Sequence, residues 1–266
     1  MNYMDIQWVI QRNLTNDFER IAAFCEKIGV KFIGLDIIPF TSELPAFDKS
    51  RKSIIYGSTT FNDLVFKNKE LKQGVFYDEK NFSIENYIEK WGRYMLNYDA
   101  SISTFQALIE GDNYSPDKQL FIRPDDDSKS FAGEVKRFDE IGDWYNKLKI
   151  IENTNLSLES KIVVSEPYNI QFEWRLWIVN KKVIAASKYR EYFKLKKEQG
   201  CPETVISFAE ARCQEYTPHD VFVMDICLCG DEYYIVECGC MNGSGFYNAN
   251  IDDIVSSVSD YFLSTI

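Results

Sequence analysis

The chain is expected to be an α+β protein in two parts, a small α/β layer over residues 1–105 and antiparallel sheets with helical cover over residues 106–266. Two observations carry the division: helical and strand patterns alternate in the first part, and short apolar runs joined by tight polar turns dominate the second. A third is composition, since 45% hydrophobic and 15% aromatic residues in a chain of 266 suffice for a packed core. Thirty Lys and Arg against 41 Asp and Glu leave a net charge of −11, which disfavours nucleic acid and anionic membranes as partners across the general surface.

The elements follow in order. Asn16 and Glu19 have capping-box spacing, Phe18, Ile21, Ala22, Cys25 and Ile28 share one helical face, and Gly29 ends the run. Residues 30–38 read as a buried strand closed by Pro39, and 53–56 as another that opens into a turn at 57–60. Ser83 begins a second helix, with Ile84, Tyr87, Ile88, Trp91 and Met95 at helical spacing. In the second part, strands are expected over 119–123, 161–166, 173–179, 183–189, 221–229 and 233–238, with a helical stretch over 133–148. Subdomains of about 106–166 and 167–266 result, and the active groups are expected where their sheets face each other.

Met1 to Trp8 lacks a basic flank followed by an apolar run, and no stretch approaches the roughly 18 apolar residues of a membrane span. The expectation is a cytoplasmic chain whose seven cysteines, an odd count, are reduced thiols.

Two hairpins place charge. The first turns at Asn180-Lys181; a two-residue loop sets Glu173 opposite Lys188 and puts Gln171, Glu173, Arg175, Lys188 and Arg190 on one face. The second turns near Gly230-Asp231-Glu232, and a three-residue loop sets Asp225 opposite Glu237. Both carboxylates interrupt apolar runs, where an unpaired charge is costly, and two carboxylates with phosphates and water are what Mg²⁺ prefers. A loop one residue shorter puts them on opposite faces. In the three-residue register Cys227 and Cys229 point away from Cys238 and Cys240, so four-thiolate zinc binding is not expected.

Arg123 ends an apolar strand and precedes Pro124, three aspartates, Ser128, Lys129, Ser130 and Gly133, a loop able to close over phosphates although it has no Walker spacing. Residues 161–167 form a strand that ends at Glu166-Pro167, a stiffened link whose backbone can meet an adenine edge. The single histidine, His219, lies in a turn before the Asp225 strand, and no ordered Ser/His/Asp or Cys/His set exists.

Arg123, Glu166, Glu173-Trp-Arg175, Lys188, Asp225, and Glu237 with Asn242 occur in the order used by the ATP-grasp superfamily, which this chain resembles. It looks in particular like a phage and bacterial subfamily named for two arginines and a lysine, through Tyr56-Gly-Ser58, Trp91-Gly92, Leu96-Asn97, Phe121-Ile-Arg-Pro124 and Lys129-Ser-Phe-Ala-Gly133. The resemblance spans nearly the whole chain and implies a pre-ATP-grasp domain before two subdomains that clasp ATP. It implies that Arg123 and Lys129 contact phosphates, that Glu166 and Pro167 meet the adenine, and that Glu173 lies near the ribose. Arg175, Lys188 and Arg190 would face the reacting groups, and Asp225, Glu237 and Asn242 would hold Mg²⁺. One position departs: the superfamily has Asn two residues after the metal Glu, where this chain has Gly239. The implied reaction is ATP-dependent ligation of a carboxylate to an amine through an acyl phosphate. An ATP-binding sensor or scaffold and an ATP-grasp kinase are the alternatives, and small-molecule, peptide and protein substrates stay open.

Overall fold

Residues 3–13, 17–38, 42–111, 114–127, 130–151 and 156–265 are described by the computed structural model. β1 (Ile6–Gln11) is the centre of a three-stranded parallel sheet. All six of its residues are buried, so no period-two alternation betrays it in the sequence. α1 (Phe18–Ile28) covers one face and ends at Gly29, whose φ of +75° lets its N–H reach the Cys25 and Glu26 carbonyls. The position before this helix is Asp17; Asn16 and Pro39 lie outside the described residues. β2 (Lys31–Leu35) and β3 (Lys52–Tyr56) flank β1.

Where a turn was expected at 57–60, α2 (Thr59–Phe66) begins, because the Ser58 hydroxyl accepts the Phe61 N–H at 3.3 Å. It packs Phe61, Leu64 and Val65 on the other face of the sheet. α3 (Ile84–Trp91) starts as expected at Ser83, whose hydroxyl accepts the Asn86 N–H, but stops at Gly92, so Met95 is buried beyond its end.

β4 (Ser101–Thr104), α4 (Phe105–Gly111), β5 (Gln119–Pro124), β6 (Glu134–Arg137), α5 (Phe138–Leu148) and β7 (Lys161–Ser165) follow. The strands form an antiparallel sheet in the order β4-β7-β5-β6, with α4 and α5 on one face around Phe105, Ile122, Ile141 and Tyr145. The expected helical stretch 133–148 is thus divided between β6 and α5.

The rest of the chain supplies β8 (Ile170–Val179), β9 (Lys182–Glu191), β10 (Lys194–Gln199), α6 (Glu203–Glu215), β11 (Val221–Cys229), β12 (Glu232–Gly239) and α7 (Ile251–Ser264). Its antiparallel sheet runs β10-β9-β8-β11-β12. Trp174, Leu176, Phe222, Met224 and Ile235 pack one face against α3 and α6, while Trp177, Val179, Val221 and Val223 join α7 and the parallel sheet at one end of the other face.

Registers decide which charges meet. Asn180 (φ +48°) and Lys181 (φ +66°) make the expected two-residue turn, which pairs Val179 with Lys182. Two irregularities then shift the β8–β9 ladder, so Glu173 faces Arg190, and Lys188 faces Trp174 instead of Glu173. The second hairpin is corrected twice over. Its loop is Gly230-Asp231, one residue shorter than expected, with Cys229 opposite Glu232. A bulge at Val236 restores the missing step: Ile226 pairs with Ile235, yet Asp225 pairs with Glu237.

Candidate functional site

A cavity of about 590 Å³ lies between the four-stranded and five-stranded sheets. Across β8, β11 and β12, Arg175, Asp225 and Glu237 stand side by side in one cross-strand row. Arg175 donates to both Asp225 oxygens, Nε to Oδ1 at 2.8 Å and Nη2 to Oδ2 at 2.7 Å, a bidentate pair in which the Asp225 side chain is 3% exposed. From the opposite sheet, Arg123 on β5 crosses the cavity to bond Glu237 and donates to the Val236 carbonyl at 3.3 Å. The bulged residue therefore presents its carbonyl to the same arginine as its neighbour's carboxylate.

One strand pair along, Glu173 accepts from Arg190 at 3.0 Å and from the Tyr189 hydroxyl at 2.7 Å. The Tyr189 ring stacks on Tyr247, centroids 4.9 Å apart, and the Arg175 guanidinium lies 5.2 Å from the Tyr247 ring centre. Tyr247 holds φ at +49°, a left-handed conformation that a tyrosine adopts only where its surroundings enforce it.

Electrostatics follow from burial. Burial raises the Asp225 carboxyl; Arg175 opposes the rise, and nearby Glu237 adds to it. Burial likewise raises Glu173 against the pull of Tyr189 and Arg190. Burial works against the Arg175 charge, but Asp225 holds that guanidinium well above its ordinary value.

Arg123, Glu173, Arg175, Arg190, Asp225 and Glu237 are thus brought together around one cavity. Other candidates are placed elsewhere. Lys188 is turned by the β8–β9 irregularity away from the cavity and bonds Glu191 at 3.0 Å and Glu198 at 2.8 Å. Glu166 is exposed and paired with Lys118, and Pro167 follows it in the link from β7 to β8; from that link Tyr168 lines the cavity. Asn242 is fully buried away from the carboxylates: its amide donates to the carbonyls of Ile55 and Gly74 and accepts the Phe76 N–H. Lys129 lies outside the described residues. His219 is not in the cavity; it accepts the Val221 N–H through Nδ1, and burial lowers its pKa.

The residues that spacing did not disclose are Tyr189, Tyr247 and Asp127. Tyr189 sits beside the irregularity that turns Lys188 out, and no periodic pattern marks such a residue. Asp127 accepts the Cys240 N–H at 2.9 Å and lines the cavity, and its only signal was membership of the aspartate run. All seven cysteines are thiols, as expected, and among the described residues no group of three or more His, Cys, Asp or Glu side chains has metal-holding geometry. Nor is any described helix long and apolar enough to cross a membrane.

A nucleotide and Mg²⁺ fit these residues. The paired carboxylates share a face and open to a cavity, the rise of Asp225 beside Glu237 shows the mutual repulsion that a divalent ion relieves, and three arginines supply counter-charge for phosphates. Two facing sheets with charged groups converging on the space between them define an ATP-grasp protein. The match to a family model agrees: residues 48–258 match a model described as an ATP-grasp domain, clade family 3, and the chain belongs to that family.

Solved structures show the same fold. A RimK domain ATP-grasp protein from Sphaerobacter thermophilus superposes with a TM-score of 0.56 at 12% identity, over 97% of this chain and 99% of that one. D-alanine--D-alanine ligase from Bacillus anthracis gives 0.57 at 10% identity, over 98% of each chain. The ATP-grasp ligase PsnB, solved with a precursor peptide and AMPPNP, gives 0.56 at 10% identity, over 98% of this chain and 99% of that one. Comparison with curated proteins finds no match.

Proposed function

We propose that the protein is an ATP-dependent carboxylate–amine ligase that uses Mg²⁺ and acts through an acyl phosphate. The observation that carries this reading is the cross-strand row of Arg175, Asp225 and Glu237, faced by Arg123 from the other sheet. In this reading Asp225 and Glu237 hold the metal, and Asn242, whose amide is fully engaged with the N-terminal layer, is not among the donors. Bound Mg²⁺ supplies neutralisation of phosphoryl charge.

The chain's own groups do the positioning. Arg123 and Arg175 face the phosphoryl groups and offset the negative charge that develops on transfer, where a planar fork of N–H donors suits phosphate and carboxylate alike. Arg190 is held in line by Glu173, which is itself oriented by the Tyr189 hydroxyl. Tyr168, Leu96 and Phe121 provide apolar surface near the Glu166–Pro167 link for an adenine ring. Lys129 belongs to the loop that closes over phosphates, and the finer likeness to the two-arginine, one-lysine subfamily forms part of the reading. The acceptor and donor are a carboxylate and an amine carried by a small molecule, a peptide or a protein.

The test is calorimetric titration of AMPPNP, with and without Mg²⁺, on the wild type and on Asp225→Asn/Glu237→Gln. Mg²⁺-dependent binding that is lost in the variant is expected; no binding to the wild type under either condition overturns the reading. Screening carboxylate and amine pairs for ADP release then tests ligation, and ADP release without amine dependence would mark a kinase.

A further inference from the structure

Both carboxylates proposed to hold the metal are occupied by arginine in the nucleotide-free protein. Asp225 spends both oxygens on Arg175, and Glu237 is bonded to Arg123. The two guanidinium side chains are only 13% and 12% exposed, so neither can turn to water if its carboxylate is taken away. These four groups cancel in charge. A divalent cation entering alone would displace two buried guanidinium ions from their partners and add two positive charges, an arrangement a low-dielectric site resists. A polyphosphate entering with the cation changes the balance, because it offers each displaced guanidinium a new anion of suitable bidentate geometry.

We infer that Arg123 and Arg175 latch the metal carboxylates shut, so that the site admits a divalent cation only together with a nucleoside polyphosphate. The inference rests on the nucleotide and metal reading of the cavity. It makes an arginine that favours phosphate binding an inhibitor of metal binding in the absence of phosphate. By linkage the reverse also holds: the carboxylates restrain the arginines from binding a metal-free polyphosphate.

The probe is Mn²⁺, read by the electron paramagnetic resonance signal of the free ion, titrated into the full chain without nucleotide. Arg123→Gln is expected to bind Mn²⁺ about tenfold more tightly than the wild type, equivalent to about 1.4 kcal/mol. Equal or weaker binding by the variant overturns the latch. The reciprocal arm stands if that variant fails to fold. In EDTA, Glu237→Gln is expected to bind AMPPNP at least about threefold more tightly than the wild type, since Arg123 is released; unchanged or weaker affinity overturns the latch. A wild type that binds AMPPNP with Mn²⁺, paired with variants that show neither gain, defeats the latch alone. A wild type that binds no nucleotide under either condition defeats the functional reading, and the latch with it.

Discussion

Asp225→Asn isolates the buried ion pair. The substitution keeps shape but replaces the carboxylate oxygen that accepts Arg175 Nη2 at 2.7 Å, or its partner at 2.8 Å, with an NH₂ group that cannot accept. Removing one partner of a buried pair costs about 3–5 kcal/mol, because the other charge is left uncompensated. Two effects offset part of that loss. The asparagine oxygen retains one hydrogen bond, and the variant no longer carries a carboxylate that burial and Glu237 both disfavour. A net destabilisation of about 2–3 kcal/mol is expected, which for a chain of this size lowers the melting temperature by about 5–10 °C. Thermal unfolding followed by circular dichroism measures it. The sharper assay is a double-mutant cycle with Arg175→Met, in which the double variant should recover about 2 kcal/mol relative to the sum of the singles. Additive effects, or an Asp225→Asn protein as stable as the wild type, would refute the claim that the two groups compensate each other.

Three further outcomes are expected. Gly74→Ala would place a Cβ 1.7 Å from the Ser53 carbonyl oxygen, so a loss of more than about 4 kcal/mol is expected by urea denaturation, seen directly as failure to fold if the margin is smaller. Gly142→Ala, in the interior of α5 with open space around it, should gain about 1 kcal/mol in the same assay through helix propensity. His219, the only histidine, has a folded pKa below its ordinary 6.5, so its unfolded form takes up the proton first. Its contribution is complete above pH 6.5 and is lost as pH falls from there through the lower folded value. His219→Asn, which retains an acceptor for the Val221 N–H, should flatten that part of a stability-versus-pH curve, and an unchanged slope would count against the assignment.

Much of the fold was legible because its signals are local. Gly29 and Ser83 mark helix ends by their own conformational and hydrogen-bonding chemistry, and the β11 run could be bounded to the residue. β1 was not, because burial on both faces erases alternation. α2 starts within a stretch that also reads as a turn, and only the Ser58 cap decides between them. Ladder irregularities are the deeper obstacle. A bulge has no residue signature at Val236, so the Asp225–Glu237 pairing was expected from a loop that is in fact one residue shorter, with the strand supplying the difference. On β8–β9 the same kind of irregularity worked the other way, replacing Lys188 with Arg190 opposite Glu173. Asn242 shows a third limit: its amide is consumed by backbone groups more than 160 positions away in sequence, which no local spacing reveals.

The C-terminal helix carries a consequence for how the chain reaches this state. Ile254, Val255, Val258 and Phe262 of α7 complete the apolar core of the N-terminal parallel sheet, and Trp8 Nε1 donates to the Ser259 hydroxyl across 251 positions. While the ribosome is still translating, the first strands to emerge therefore have no cover for one face until the last helix has left the exit tunnel. The nascent N-terminal layer must persist with an exposed aromatic and aliphatic surface, the condition under which chaperones bind and aggregation begins. Loss of the final turns of the polypeptide would be felt first at its opposite end.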